Sequence, residues 1–172
     1  MAEFALAYED GNKVDYDFWM TSSSNRALDF IEDFKVFQEK LGANVTFTPH
    51  YVFWECVGCD KKYIQNDCYG GGKYCAVEPS NVNIKGREII EEDLRQKCLY
   101  NNLAKNKNIS MWFSYIERAH STCRTILNED CSKRVHDYLG LDFTATMTCM
   151  ENSFSAPKAN WEKSTCKNSI ID

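Results

Sequence analysis

The sequence predicts an α/β fold, and three stretches near its start carry that prediction. Val14 to Met20 sets Val14, Tyr16, Phe18 and Met20 against Asp15, Asp17 and Trp19, the period-two pattern of a strand with one buried face. From Ala27 onward Ala27, Leu28, Phe30, Ile31, Phe34, Phe37 and Leu41 recur at spacings of three and four, while Asp29, Glu32, Asp33 and Glu39 hold the other face, as in an amphipathic helix. Phe47 to Trp54 is again extended, apolar or aromatic on both faces, as expected of a central strand covered from two sides. Strand, helix and strand within about forty residues make a right-handed βαβ unit with parallel strands.

Each element has its own local signals. Thr21 to Asn25 supplies turn and N-cap chemistry for the helix, and Gly42 is suited to end it. Pro49 falls near the start of the second strand, where a missing donor is tolerated. Lys85 to Leu103 is helical, with Ile90, Leu94 and Cys98 inward and Glu91, Glu92, Arg95 and Lys97 outward, so the acidic run Glu91, Glu92, Asp93 reads as a solvated face. Ser110 to Ser121 repeats the helical spacing through Trp112, Phe113, Ile116 and Ala119, and these aromatics, with Tyr115, read as core. Asn128 caps a third helix carrying Cys131, Val135, Tyr138 and Leu139 up to Gly140, and Asp142 caps a short fourth through Phe143, Met147 and Met150. The chain then divides into a βαβ core (14–56), a cysteine-rich loop (57–84), a helical insertion (85–150) and an irregular polar tail (151–172), read together as one domain over 1–172.

At 172 residues a single domain buries roughly 70% of its unfolded surface, enough for a sizeable core. A hydrophobic content of 44% with three prolines excludes a disordered or low-complexity chain. A formal charge of −5, with basic residues scattered, excludes an electrostatic footprint for nucleic acid or anionic lipid. No apolar run approaches the ~20 residues that span a bilayer, so no membrane contact is expected from this segment.

Nine cysteines and two N-glycosylation sequons, at Asn44 and Asn108, point to the endomembrane lumen or the exterior of the cell. The first residues nevertheless lack the basic and apolar regions of a signal peptide, so a fragment of a longer precursor is expected. Three readings of the cysteines are open. In the first, most of Cys56, Cys59, Cys68, Cys75, Cys98, Cys123, Cys131 and Cys149 form disulfides whose connectivity is not readable, with Cys166 pairing beyond Asp172 or on another chain. In the second, Cys56, Cys59, Cys68 and Cys75 ligate zinc, although YGGGKY between the last two departs from a usual ribbon. In the third, Cys56 and Cys59 form a redox CxxC, which requires a long helix behind it that the polar stretch up to Cys68 does not supply. The first is favoured, with no metal and no cofactor.

The motifs FTPHYVFWEC, GGKYCA and EEDLRQKC, an aromatic helix ending at Cys123, and Cys131 followed by LGLD and Cys149 resemble the central luminal region of vacuolar sorting receptors, over roughly Val14 to Met150. That resemblance implies a partial thioredoxin-like βαβ core with a helical insertion, within a type I membrane receptor that binds soluble cargo in the secretory pathway. Two departures stand out. Redox-active members carry their CxxC at the start of the first helix, where this chain has Ser22, Ser23 and Ser24, and Pro157 is not followed by the strand that a cis-proline leads in that fold.

The expected function is therefore a non-enzymatic, disulfide-stapled binding domain for protein or peptide cargo, using loops and a sheet edge, with strand addition as one mode. An assembly module binding neighbouring chains, and a thiol oxidoreductase using Cys56 and Cys59, are the alternatives. His50, His120 and His136 are scattered, with no nucleophile elbow among them. His50 is the best placed to act as a pH sensor for cargo release.

Overall fold

The computed structural model describes residues 4–9, 13–77, 79 and 83–167. A three-stranded sheet, β1 (Phe4–Glu9), β2 (Lys13–Met20) and β3 (Val45–Tyr51), has the order β1-β2-β3. β2 and β3 are parallel, joined across α1 (Asn25–Leu41), in a register that sets Tyr16 beside Phe47 and Phe18 beside Pro49. β1, absent from the sequence reading, pairs antiparallel on the other side of β2. The central strand among the described residues is therefore β2, and β3 is not the doubly covered strand expected. Its inward Phe47 and Tyr51 are buried, whereas Thr46, Thr48 and His50 alternate toward the other side. The outer side of β3 is closed by side chains: the Phe47 carbonyl accepts from the Tyr100 hydroxyl, and the Pro49 carbonyl accepts from Lys97 Nζ at 2.7 Å.

α1 begins where Ser24 accepts from the Ala27 N–H and stops at Gly42, whose φ of 55° suits a residue without a side chain. Phe30 stacks on Phe18 at 5.1 Å, and Phe34 meets Tyr16 edge-on at 5.2 Å. The spacing places Phe37 and Leu41 on this face, but both are exposed, Phe37 by 58%. The inward position two turns beyond Ile31 belongs to Gln38, which is buried and accepts from the Tyr16 hydroxyl, and Phe37 lies one residue around the helix from it.

After β3 the chain forms α2 (Lys61–Asp67) and a short hairpin, β4 (Cys68–Tyr69) and β5 (Tyr74–Cys75), then α3 (Gly86–Lys105), α4 (Ser110–Cys123), α5 (Glu129–Leu139) and α6 (Phe143–Asn152). The expected caps are present: Asn128 on α5, Asp142 on α6, and Gly140 in the left-handed conformation after α5. α3 lies among β3, α2, the hairpin, α4 and α6, and this overturns the amphipathic reading of it. Glu92, Asp93, Arg95 and Gln96 are all buried. Glu92 accepts from Arg95 Nε, Gln96 Nε2 and the Tyr115 hydroxyl at 2.8 to 3.0 Å, so its buried carboxylate is paired and hydrogen-bonded, while the two terminal guanidinium nitrogens of Arg95 are buried with no hydrogen-bond partner among the described residues. α3 starts hard against the hairpin: a Cβ at Gly86 would lie 2.5 Å from the Ala76 carbonyl oxygen and 2.7 Å from the Asp67 backbone.

The tail is not the loose segment its composition suggests. Phe154 and Trp161 are fully buried, stack at 4.5 Å, and pack on Tyr69 and Tyr74 of the hairpin to form a second core with Ile89, Ile90 and Leu94. Lys158–Lys163 is a 3-10 turn, and Phe154 bridges to Cys166. Residues 168–172 of the predicted tail, and 78 and 80–82 of the predicted loop, lie outside the described residues.

Candidate ligand-binding groove

The parallel strands end in Trp19 and Met20 on β2 and run through Val52 to Trp54 after β3. The chain turns at Thr21 to Ser24 into the first turn of α1. Crevices of this kind, beyond the carboxyl ends of parallel strands, are the usual ligand sites of open α/β sheets. Here the crevice encloses about 570 Å³, walled by Trp19, Phe30, Val52, Trp54 and Val77, with Ser23, Ser24 and Arg26 at the start of α1. Among the described residues its lining includes no acidic side chain, and Arg26 is exposed at its edge. The first turn of α1 also carries no acidic side chain, so no carboxylate offsets the positive end of the helix there.

Under the turn lies Asp93 of α3, 0% exposed. Its Oδ1 accepts from the Ser22 N–H at 2.7 Å, and its Oδ2 lies 3.4 Å from the Thr21 hydroxyl. Burial pushes the Asp93 carboxyl up to about 8, opposed by the hydrogen bonds from Ser22 and reinforced by neighbouring Glu92. The carboxyl is thus protonated through the mildly acidic range. Ser22 is itself buried, and its hydroxyl donates to the Ile89 carbonyl at 3.4 Å. The place where redox members of the fold carry thiols is here a serine turn buttressed by a buried acid.

His50 stands next to the groove. Its Nε2 is 2.9 Å from Asp17 Oδ1, and its ring stacks on Trp19 at 4.5 Å. His120 instead ties α4 to α1, with Nδ1 2.7 Å from Glu32 Oε1. His136 is buried between the Ser132 carbonyl and the Thr146 hydroxyl, and its pKa is lowered by desolvation. The three do not converge.

Among the described residues the cysteines form four bridges: Cys56–Cys59, Cys68–Cys75, Cys98–Cys149 and Cys123–Cys131. The four cysteines of the zinc reading are thus two bridges, and no cluster of three or more His, Cys, Asp or Glu side chains able to hold a metal ion occurs among the described residues. Cys68–Cys75 clasps the base of the hairpin, Cys98–Cys149 pins α6 to α3, and Cys123–Cys131 closes the turn from α4 to α5. Cys166 sits half-buried, its N–H donating to the Tyr74 hydroxyl at 3.1 Å. Asn44, just before β3, and Asn108, in the turn after α3, are both exposed. α3 runs from Asp93, at the groove, past Lys97 on Pro49 to Tyr100 on Phe47, so Asn108 follows toward the end of the sheet where β3 starts, away from the groove.

Sequence reasoning missed Asp93, Arg26 and the aromatic walls. One signal was present: Trp19 is an aromatic on the polar face of the β2 pattern. The other contributions come from segments far apart in the chain and have no shared local signature.

Parallel β2 and β3 joined across α1, with a crevice beyond their carboxyl ends, make this an α/β domain of the open-sheet kind. The family model of the vacuolar sorting receptor thioredoxin-like domain matches residues 14–170, and the chain belongs to that family. Vacuolar-sorting receptor 1 of Pisum sativum is 28% identical over 91% of the chain and 27% of its own length. Vacuolar-sorting receptor 6 of Arabidopsis thaliana is 27% identical over 90% of the chain and 26% of its own. The chain thus spans about a quarter of the length of the curated relatives it matches.

Proposed function

We propose that this chain is a non-catalytic luminal domain of a sorting receptor, and that it holds an extended peptide segment of a cargo protein in the groove above the first turn of α1. The groove itself carries the reading: partly exposed Trp19 and Trp54 face an acid-free helix start with Arg26 beside it. That surface suits an apolar side chain flanked by a carboxylate, which brings the charge the groove lacks. Addition of a strand at the outer side of β3 is disfavoured, because Tyr100 and Lys97 already occupy its carbonyls and Pro49 has no N–H to offer. The four bridges and the sorting-receptor relatives favour a luminal or extracellular setting. Among the described residues no helix is long and apolar enough to cross a membrane. Asn44 and Asn108 accept glycans at the pole away from the groove, leaving it open.

His50 is the proton-responsive group of this reading. Protonation turns its contact with Asp17 into an ion pair and its stack on Trp19 into a cation–π contact, altering one wall of the groove.

The test is selection of binders from a displayed library of random twelve-residue peptides on the oxidised chain at pH 7. Selected peptides are expected to lose at least roughly tenfold in affinity on a Val77→Glu variant, and to change affinity between pH 7 and pH 5 on the native chain but not on His50→Gln. Peptides that bind Val77→Glu equally well would sink the groove reading. An unchanged pH dependence in His50→Gln would remove His50 from it.

A further inference from the structure

Cys56–Cys59 differs from the other three bridges in where it lies. Both of its cysteines are partly exposed. Cys68 and Cys75 are fully buried, Cys123 and Cys131 are buried, and in the long-range bridge Cys98 is fully buried and Cys149 partly exposed, so Cys56–Cys59 stands apart in having both cysteines partly exposed. Thiol–disulfide exchange needs a thiolate to reach a sulfur, so access orders the reactivity of bridges within one protein.

The turn that this bridge closes is also open at its tip. Val57 is 89% exposed, and Gly58 sits beside it with φ at 82° and open space around it. On the inner side the Cys56 N–H donates to the Gly72 carbonyl at 2.8 Å. Trp54 and Cys75 exchange two main-chain hydrogen bonds of 2.9 and 3.2 Å, so the backbone just before the turn is held by the hairpin and its own buried bridge. The side chains are arranged differently: the Trp54 ring leans at 5.8 Å on Tyr63, which lies just beyond the bridge on α2. The bridge therefore constrains the partner of a groove wall while contributing little to the frame.

We infer that Cys56–Cys59 is a thiol-exchange site for external dithiols, and that its reversible reduction frees the 55–63 turn and the Tyr63 support of Trp54 while the other three bridges hold the fold. In the first step a thiolate of the dithiol bonds to one bridge sulfur, the Cys56–Cys59 bond breaks, and the departing sulfur takes up a proton. In the second step the remaining thiol of the reagent attacks the mixed disulfide and releases the other cysteine as a thiol. Two electrons and two protons pass from the dithiol to the bridge, and the dithiol ends as a disulfide. The exchange step requires nothing of the groove's ligand.

The test uses the oxidised chain, dithiothreitol titrated at pH 7 under native conditions, alkylation of exposed thiols and peptide mapping, with amide hydrogen exchange followed on the same samples. Among the eight bridged cysteines, Cys56 and Cys59 are expected to be alkylated at a dithiothreitol concentration roughly tenfold below that needed for the next bridge. Exchange is expected to quicken most over residues 55–63 and to change less over α3. The double variant Cys56→Ser, Cys59→Ser is expected to show the same exchange pattern without reductant. Opening of a buried bridge at the same or a lower concentration would overturn the assignment of the site. Unchanged exchange over 55–63, in both the reduced protein and the double variant, would overturn its effect on the groove wall.

Discussion

Replacing Asp93 by asparagine isolates the acid beneath the serine turn. The folded state raises this carboxyl from 3.8 to about 8, chiefly by desolvation, and each unit corresponds to about 1.4 kcal/mol between protonation states. A group whose folded pKa lies above its unfolded value binds its proton more tightly in the folded state. Its contribution is therefore fully present below about pH 4 and is lost as pH rises toward about 8. Taken at face value, the shift corresponds to about 6 kcal/mol across that window, an upper figure for a group that can also rearrange or hydrate. The amide introduced by Asp93→Asn would keep an oxygen for the Ser22 N–H and would carry no charge. Urea denaturation of the oxidised native chain and of Asp93→Asn, at intervals from pH 4 to pH 9, measures the effect, and the difference between the curves removes the titration of every other group. The native chain is expected to lose several kcal/mol relative to the variant between pH 5 and pH 8. Parallel curves would show that Asp93 titrates normally and that the buried-acid account of the turn is mistaken.

Three further expectations concern the frame. Gly86→Ala places a methyl group 2.5 to 2.7 Å from backbone atoms of Ala76 and Asp67, where no flexible side chain can give way, and is expected to cost several kcal/mol in denaturant unfolding. Trp161→Ala is expected to cost about 3 to 5 kcal/mol, since Trp161 is fully buried against Phe154 and Tyr69, while Phe37→Ser on the exposed side of α1 stays within about 0.5 kcal/mol. Replacing both members of Cys98–Cys149, 51 residues apart, is expected to cost about 4 kcal/mol by chain entropy, against about 2 kcal/mol for Cys56–Cys59, 3 apart. The opposite order would mean that native-state packing rather than loop closure dominates these bridges.

The parts of the fold legible in the sequence are those with local causes. Ser24, Asn128 and Asp142 each cap the helix that follows, and Gly42 and Gly140 each stop one, because capping is decided within a few residues. β2 was legible from its alternation. α3 was legible as a helix but not in its surroundings: periodicity assigns charged residues to solvent, and Glu92 is tolerated inside because Arg95, Gln96 and Tyr115 each donate to it. The tail was opaque because two aromatics in a polar segment set its position, and their partners lie about eighty to ninety residues earlier. The groove was opaque for the same reason, since the Asp93 contact with Ser22 spans 71 positions of sequence.

The most direct test is a two-dimensional amide spectrum of the oxidised, isotope-labelled chain titrated with a peptide selected from the displayed library. The largest shifts are expected at Trp19, Ser23, Arg26, Val52, Trp54 and Val77, around the groove and the start of α1. Shifts concentrated instead on the 153–167 segment or on the exposed side of α1, with the groove amides unmoved, would contradict a ligand site at the thiol-free position of this fold.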